Sequence, residues 1–124
     1  VFDLYKVHQD ALMLPVLIQS DRYTRQSDSI PALSVSASRD DSGRIHVTMA
    51  NLDPNAARTV PIEFRGAKVK GVRGQVLTAA AMNARNTFEQ ADAVKPAAFT
   101  GAKLTPEGVE VTLPAKSVVA LEVE

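Results

Sequence analysis

Two-residue alternation of apolar and polar side chains, broken at short intervals by turn residues, runs through most of this chain. Successive side chains of a strand point to opposite faces, so alternation builds a strand buried on one side and does not build an amphipathic helix. The clearest case is LSVSASR-DDSG-RIHVTMAN. Leu33, Val35 and Ala37 share one face, and Ser34, Ser36 and Ser38 share the other. Asp40-Asp41-Ser42-Gly43 predicts a turn, with Gly43 free to take positive φ. Ile45, Val47 and Met49 then resume the inward row against His46, Thr48 and Ala50. His46 is therefore expected to point outward, as a surface histidine.

The same pattern recurs along the chain. Residues 58–64 alternate through Val60, Ile62 and Phe64, with Pro61 on the opposite face. Proline cannot donate to a ladder, which places this strand at an edge. Asp53-Pro54-Asn55 and Thr105-Pro106-Glu107-Gly108 read as turns. Residues 68–78 hold one or two strands, bent or bulged at Gly71 and Gly74. Val109, Val111 and Leu113, then Val119, Leu121 and Val123, form two further inward rows. Residues 11–19 are a candidate edge strand interrupted by Pro15, and 20–29 read as a polar loop. About eight short strands at roughly ten-residue spacing predict an all-β, antiparallel β-sandwich.

Composition narrows the function classes. A chain of 124 residues is one domain, able to bury a core without disulfides or metal. Net charge is zero with both signs interspersed, so there is no basic face for nucleic acid. The longest apolar run, 11–18, contains a proline and is too short to span a bilayer. No cysteine is present, which permits a cytosolic location without demanding one. No metal-ligand spacing, serine-nucleophile elbow or phosphate loop occurs, and no cofactor is expected.

Two stretches depart from the alternation. The opening VFDLYKVHQD places Val1, Leu4 and Tyr5 at helical spacing with Phe2 beside them. A helix this short is marginal alone. We expect it to be the tail of an element of something larger, the chain being an excised piece. The second stretch, 77–100, is long for a connection inside a compact domain. Leu77, Met82, Phe88, Val94 and Phe99 are its expected apolar anchors. Asn83, Asn86 and Thr87 are expected to bond to backbone of their own loop. Glu89 and Asp92, three apart, invite an acid/base reading, but a turn or capping role suits isolated loop carboxylates better. A carbohydrate-binding module is the alternative class. The chain offers it no Trp and two Tyr, Tyr5 and Tyr23, as platforms. A third class, an adhesion-type sandwich, would need a partner protein.

VFDLYKVHQDALMLPV, SIPALSVSASRDDSGRIHVTMANLDP, NARNTFEQADAVKP and LPAKSVVALEV together cover nearly the whole chain. They resemble the C-terminal region of glycoside hydrolase family 51 α-L-arabinofuranosidases. Ala91 departs from the pattern, since relatives often carry proline there, which would loosen the loop. The resemblance implies a β-sandwich of jelly-roll type packed against a catalytic (β/α)₈ barrel. On it, 1–10 would be the remnant of the last barrel helix and 11–124 the C-terminal sandwich. The family's two catalytic glutamates sit at barrel strand ends, so no residue here inherits either role.

The implied parent is a bacterial retaining hydrolase, cytoplasmic or periplasmic, that releases terminal α-L-arabinofuranosyl groups from arabinan or arabinoxylan. Its implied partners for this domain are the parent's own barrel and, in an oligomer, neighbouring subunits. Nucleic acid and membrane are not among them. An exposed patch at Phe2, Leu4 and Tyr5 is the expected interdomain contact. Asn83, Asn86, Phe88 and Glu89 of the long loop are the second candidate contact.

Overall fold

The computed structural model describes residues 1–18, 22–66, 68–106 and 108–124, with every side chain among them except that of Phe2. Expectations that fall on Gln19, Ser20, Asp21, Glu107 and the Phe2 side chain lie outside the described residues.

The chain opens with a single helical turn, α1 (Phe2–Tyr5), in which Tyr5 N–H donates to the Val1 carbonyl at 3.0 Å. It tightens into a 3₁₀ turn (Lys6–His8), and Asp10, at φ 59°, turns the backbone toward the first strand. Among the described residues eleven strands follow. They are β1 (Leu12–Leu14), β2 (Arg22–Arg25), β3 (Asp28–Pro31), β4 (Leu33–Arg39), β5 (Ile45–Asn51) and β6 (Arg58–Glu63). After them come β7 (Val72–Leu77), β8 (Ala97–Ala98), β9 (Ala102–Thr105), β10 (Gly108–Leu113) and β11 (Ser117–Val123).

Every pairing among the described residues is antiparallel. A six-stranded sheet runs β1-β4-β5-β11-β7-β8, and a three-stranded sheet runs β6-β10-β9. The alternation places one row of each sheet in a common core. Leu33, Val47, Met49, Val119, Leu121 and Val123 come from the large sheet, and Val109, Val111 and Leu113 from the small one. Val60, Ile62, Phe64 and Phe99 pack around them. The fold is thus the expected antiparallel sandwich, with β6 at an edge and Pro61 opposite Glu110. Gly43 takes φ 86° in the β4–β5 turn. Gly74 is needed for a different reason. A Cβ there would lie 2.6 Å from Leu121 Cδ2 and 2.7 Å from the Ala120 carbonyl oxygen, so β7 and β11 meet this closely only without a side chain.

Four expectations need correction. Within the expected polar loop, β2 and β3 pair as a hairpin arm, its turn made at Gln26 with φ 56°. Its residues carry no apolar row because neither face enters the core. The edge strand expected over 11–19 is paired only at Leu12–Leu14 and ends before Pro15. His46 lies on the expected face, yet it is 8% exposed. Alternation identifies a face without saying whether water reaches it, and here the N-terminal turns cover that face between β4 and β11. For the same reason Leu4 is buried, at 3% exposure, and cannot form an exposed docking patch.

Candidate functional site

Two buried polar clusters and two exposed apolar regions are the places where this sandwich could carry function. The first cluster fastens the N-terminal turns to the large sheet. The 3₁₀ turn delivers His8 over β4 and β5, where Nδ1 lies 2.6 Å from Ser38 Oγ and Nε2 lies 2.8 Å from Thr48 Oγ1. Thr48 Oγ1 donates to the Ser36 carbonyl, so it accepts from His8, and Ser38 donates to the other ring nitrogen. Burial, then the neighbouring His46, hold the His8 pKa below its ordinary 6.5. The Tyr5 ring meets His8 edge-on at 6.0 Å.

Beside it, His46 Nε2 lies 2.9 Å from Asp40 Oδ2. Asp40 Oδ1 accepts from the Ser42 hydroxyl and from the Ser42 and Arg44 amides. The Ser42 hydroxyl, followed by His46, holds the Asp40 carboxyl far below the usual carboxylate range. A serine hydroxyl against an imidazole is the geometry of an activated nucleophile. Here Ser38 is buried and the far ring nitrogen is spent on a threonine instead of a carboxylate. The arrangement therefore works as a fastener between helix and sheet.

The second cluster joins the two sheets where β5 ends. The Asn51 amide donates to the carbonyls of Ala56 and Pro114, both at 3.0 Å, and lies 3.4 Å from that of Leu113. Its own oxygen accepts from the Asp53 amide at 3.1 Å. Asp53 Oδ1 accepts from the Asn55 and Ala56 amides, and Oδ2 takes the Arg58 guanidinium at 2.8 Å. The Asn55 amide first, then Arg58, lower the Asp53 pKa. The predicted turn at Asp53-Pro54-Asn55 is thus held from its buried side by Asn51 and Asp53, while Asn55 is exposed.

The long connection, 78–96, leaves β7 and returns as the short β8 on the far edge of the large sheet. Asn86 behaves as expected: Nδ2 donates to the Val94 carbonyl at 2.9 Å and Oδ1 accepts the Val94 amide at 2.6 Å. Thr87 Oγ1 accepts the Gln90 amide at 3.0 Å. Asn83 makes no such bond among the described residues. Phe99 reaches the core and Val94 is half-buried, but Met82 and Phe88 are exposed and are not anchors. Glu89 and Asp92 are exposed as well, without a hydrogen-bonding partner among the described residues.

The residues expected at an interdomain contact are thus not gathered in one place. Leu4 is buried under its own turn, Tyr5 is half-buried against His8, and Asn83, Asn86, Phe88 and Glu89 ride the loop beyond β7. Sequence reasoning read 11–19 as an edge strand and did not foresee that the strap 11–18 leaves large apolar side chains in the open. Leu12, Met13, Val16, Leu17 and Ile18 are all exposed. An apolar run of this length, even one broken by Pro15, ordinarily signals burial. That was the available sign. Beside the strap, Ile18, Arg22, Pro31, Leu33, Ser34 and Val35 line a cleft of about 460 Å³. Arg22 turns away to the Ser29 hydroxyl and carbonyl, at 2.7 and 2.8 Å. Among the described residues no group of three or more metal-ligating side chains exists, and no helix is long and apolar enough to cross a membrane.

These observations define an antiparallel sandwich module whose polar clusters fasten its own backbone, and comparison with known proteins narrows the class to one family. The profile described as the alpha-L-arabinofuranosidase C-terminal domain matches residues 1–117, and the chain belongs to that family. It is 38% identical, over its whole length, to 24% of an intracellular exo-alpha-L-arabinofuranosidase of Bacteroides ovatus. Among solved structures, the GH51 arabinofuranosidase of Xanthomonas axonopodis pv. citri matches 99% of this chain and 25% of its own, with TM-score 0.96 and 39% identity. The GH51 enzyme of Thermotoga petrophila matches 78% of this chain and 21% of its own, with TM-score 0.66 and 29% identity. The chain thus spans about a quarter of the length of its nearer relatives.

Proposed function

We propose that this sandwich is the structural companion of a family 51-type catalytic barrel in an enzyme that releases terminal α-L-arabinofuranosyl groups from arabinan or arabinoxylan. The full-length match to a quarter of the Bacteroides ovatus enzyme carries this reading. The chemistry agrees with it. Retaining glycoside hydrolysis needs two carboxyl groups about 5–5.5 Å apart across the scissile bond. Asp40 and Asp53 are committed to turns and counter-ions, while Glu89 and Asp92 stand exposed on a loop. The domain stabilises the barrel and supplies no catalytic group. In this reading 1–10 is the barrel's last helix, and the long loop meets either the barrel or a neighbouring subunit.

The test uses the parent enzyme and an aryl α-L-arabinofuranoside. Turnover by the intact chain, unchanged by Glu89→Gln and Asp92→Asn, is the expected result. Loss of turnover in either variant, with folding preserved, would place chemistry in this domain and defeat the proposal.

A further inference from the structure

We infer that the exposed strap 12–18 is the segment on which the remainder of the parent polypeptide seats. This inference rests on the companion-domain reading and adds the location of the contact. Leu17 is 93% exposed and Met13 81%, with Leu12, Val16 and Ile18 also in the open. Chains that function alone rarely leave so many adjacent large apolar groups in water, and a patch of this kind marks an interface. No charged residue interrupts the sequence ALMLPVLI, so an acidic or basic partner finds nothing to pair with. A sugar finds no polar fixing group along it either.

Two observations select the tethered remainder of the chain over a second copy. In the relatives, about three quarters of the polypeptide lies outside the segment matched here. In this structure the strap follows directly from the N-terminal turns, which His8 pins to β4 and β5, and β1 itself pairs with β4. A polypeptide joined through those turns is held beside the strap at high effective concentration. The expected contact at Leu4 and the observed exposed face therefore lie in succession along the chain. Leu4 of the helical turn is covered by this domain, whereas most large apolar side chains of the strap are in the open.

The three methionines of the chain provide a readout that needs no substitution. Met13 is 81% exposed in the domain, Met82 on the long loop is 68% exposed, and Met49 is fully buried in the core. The intact parent enzyme is treated with dilute hydrogen peroxide and its peptides are followed by mass spectrometry. Met13 is expected to oxidise more slowly than in the urea-unfolded chain by roughly tenfold or more. A smaller protection overturns the inference.

A benzophenone side chain in place of Leu17 then identifies what covers the strap. The expected photoproduct keeps single-chain mass and joins position 17 to a peptide outside residues 1–124. A product of twice that mass assigns the face to a second copy, and absence of any adduct leaves it facing water. Both outcomes overturn the inference. Arabinofuranoside turnover is read on the same preparation, so the two proposals fail separately. Turnover with unprotected Met13 removes only the docking face. Protected Met13 without turnover removes only the enzymatic reading.

Discussion

Asn51 and Asn86 perform the same act in two different settings. Each spends its amide group on backbone atoms that no strand satisfies, Asn51 on four residues around the sheet-joining corner and Asn86 on both polar atoms of Val94. Asn51 is buried, and two of its four partners are 62 and 63 residues away in sequence. The loop is exposed, and its partner is 8 residues away. A hydrogen bond formed where water can replace it contributes little net stability. A buried group deprived of its partner carries the full cost of its lost solvation. The same side chain is thus a structural keystone at position 51 and a local shaping device at position 86.

Substituting each asparagine tests that contrast directly. Asn51→Ala strands the buried Asp53 amide and removes one donor from the carbonyls of Ala56 and Pro114, the latter keeping the Ser117 hydroxyl, and is expected to destabilise the fold by about 2 kcal/mol. Urea unfolding checks it, and a loss comparable to that of the loop variant would erase the distinction. Acid sharpens the contrast next. The Asp53 pKa is depressed below its ordinary 3.8, so its stabilising effect is present above that value and is lost as pH falls through the folded pKa. The midpoint difference between the wild type and Asp53→Asn should therefore be full at neutral pH and narrow below about pH 4. A gap independent of pH would mean that the carboxylate's charge is immaterial to the corner. The smallest effect belongs to the loop. Asn86→Ala should cost less than about 1 kcal/mol globally, while the Val94 amide exchanges hydrogen faster. Unchanged exchange at Val94 would show that the loop keeps its shape by other means.

The core was legible because each inward row repeats its apolar residue at every second position. Leu33, Val47, Met49, Val111, Leu113, Val119 and Leu121 all lie on the face that alternation assigns. Alternation is silent about what lies over the other face, and the errors collect there. His46 and Leu4 were expected in water, and both are buried where the N-terminal turns pack on β4, β5 and β11. The arm β2–β3 left no periodic trace, since Arg22, Thr24, Ser29 and Asp28 need no buried side. In the long loop the polar residues were better guides than the apolar ones. Asn86 and Thr87 can satisfy themselves locally. Met82 and Phe88 need a surface, and these two find none among the described residues of this chain.

The two margins of the large sheet are stubs, three residues at β1 and two at β8. Such short rims offer too few free amides to recruit another strand, and Pro61 interrupts the donors of β6 at the edge of the small sheet, so fibrous stacking finds little purchase. Separated from its host, the sandwich should instead clump loosely through its greasy strap, a form of association that mild detergent reverses and seeding does not accelerate.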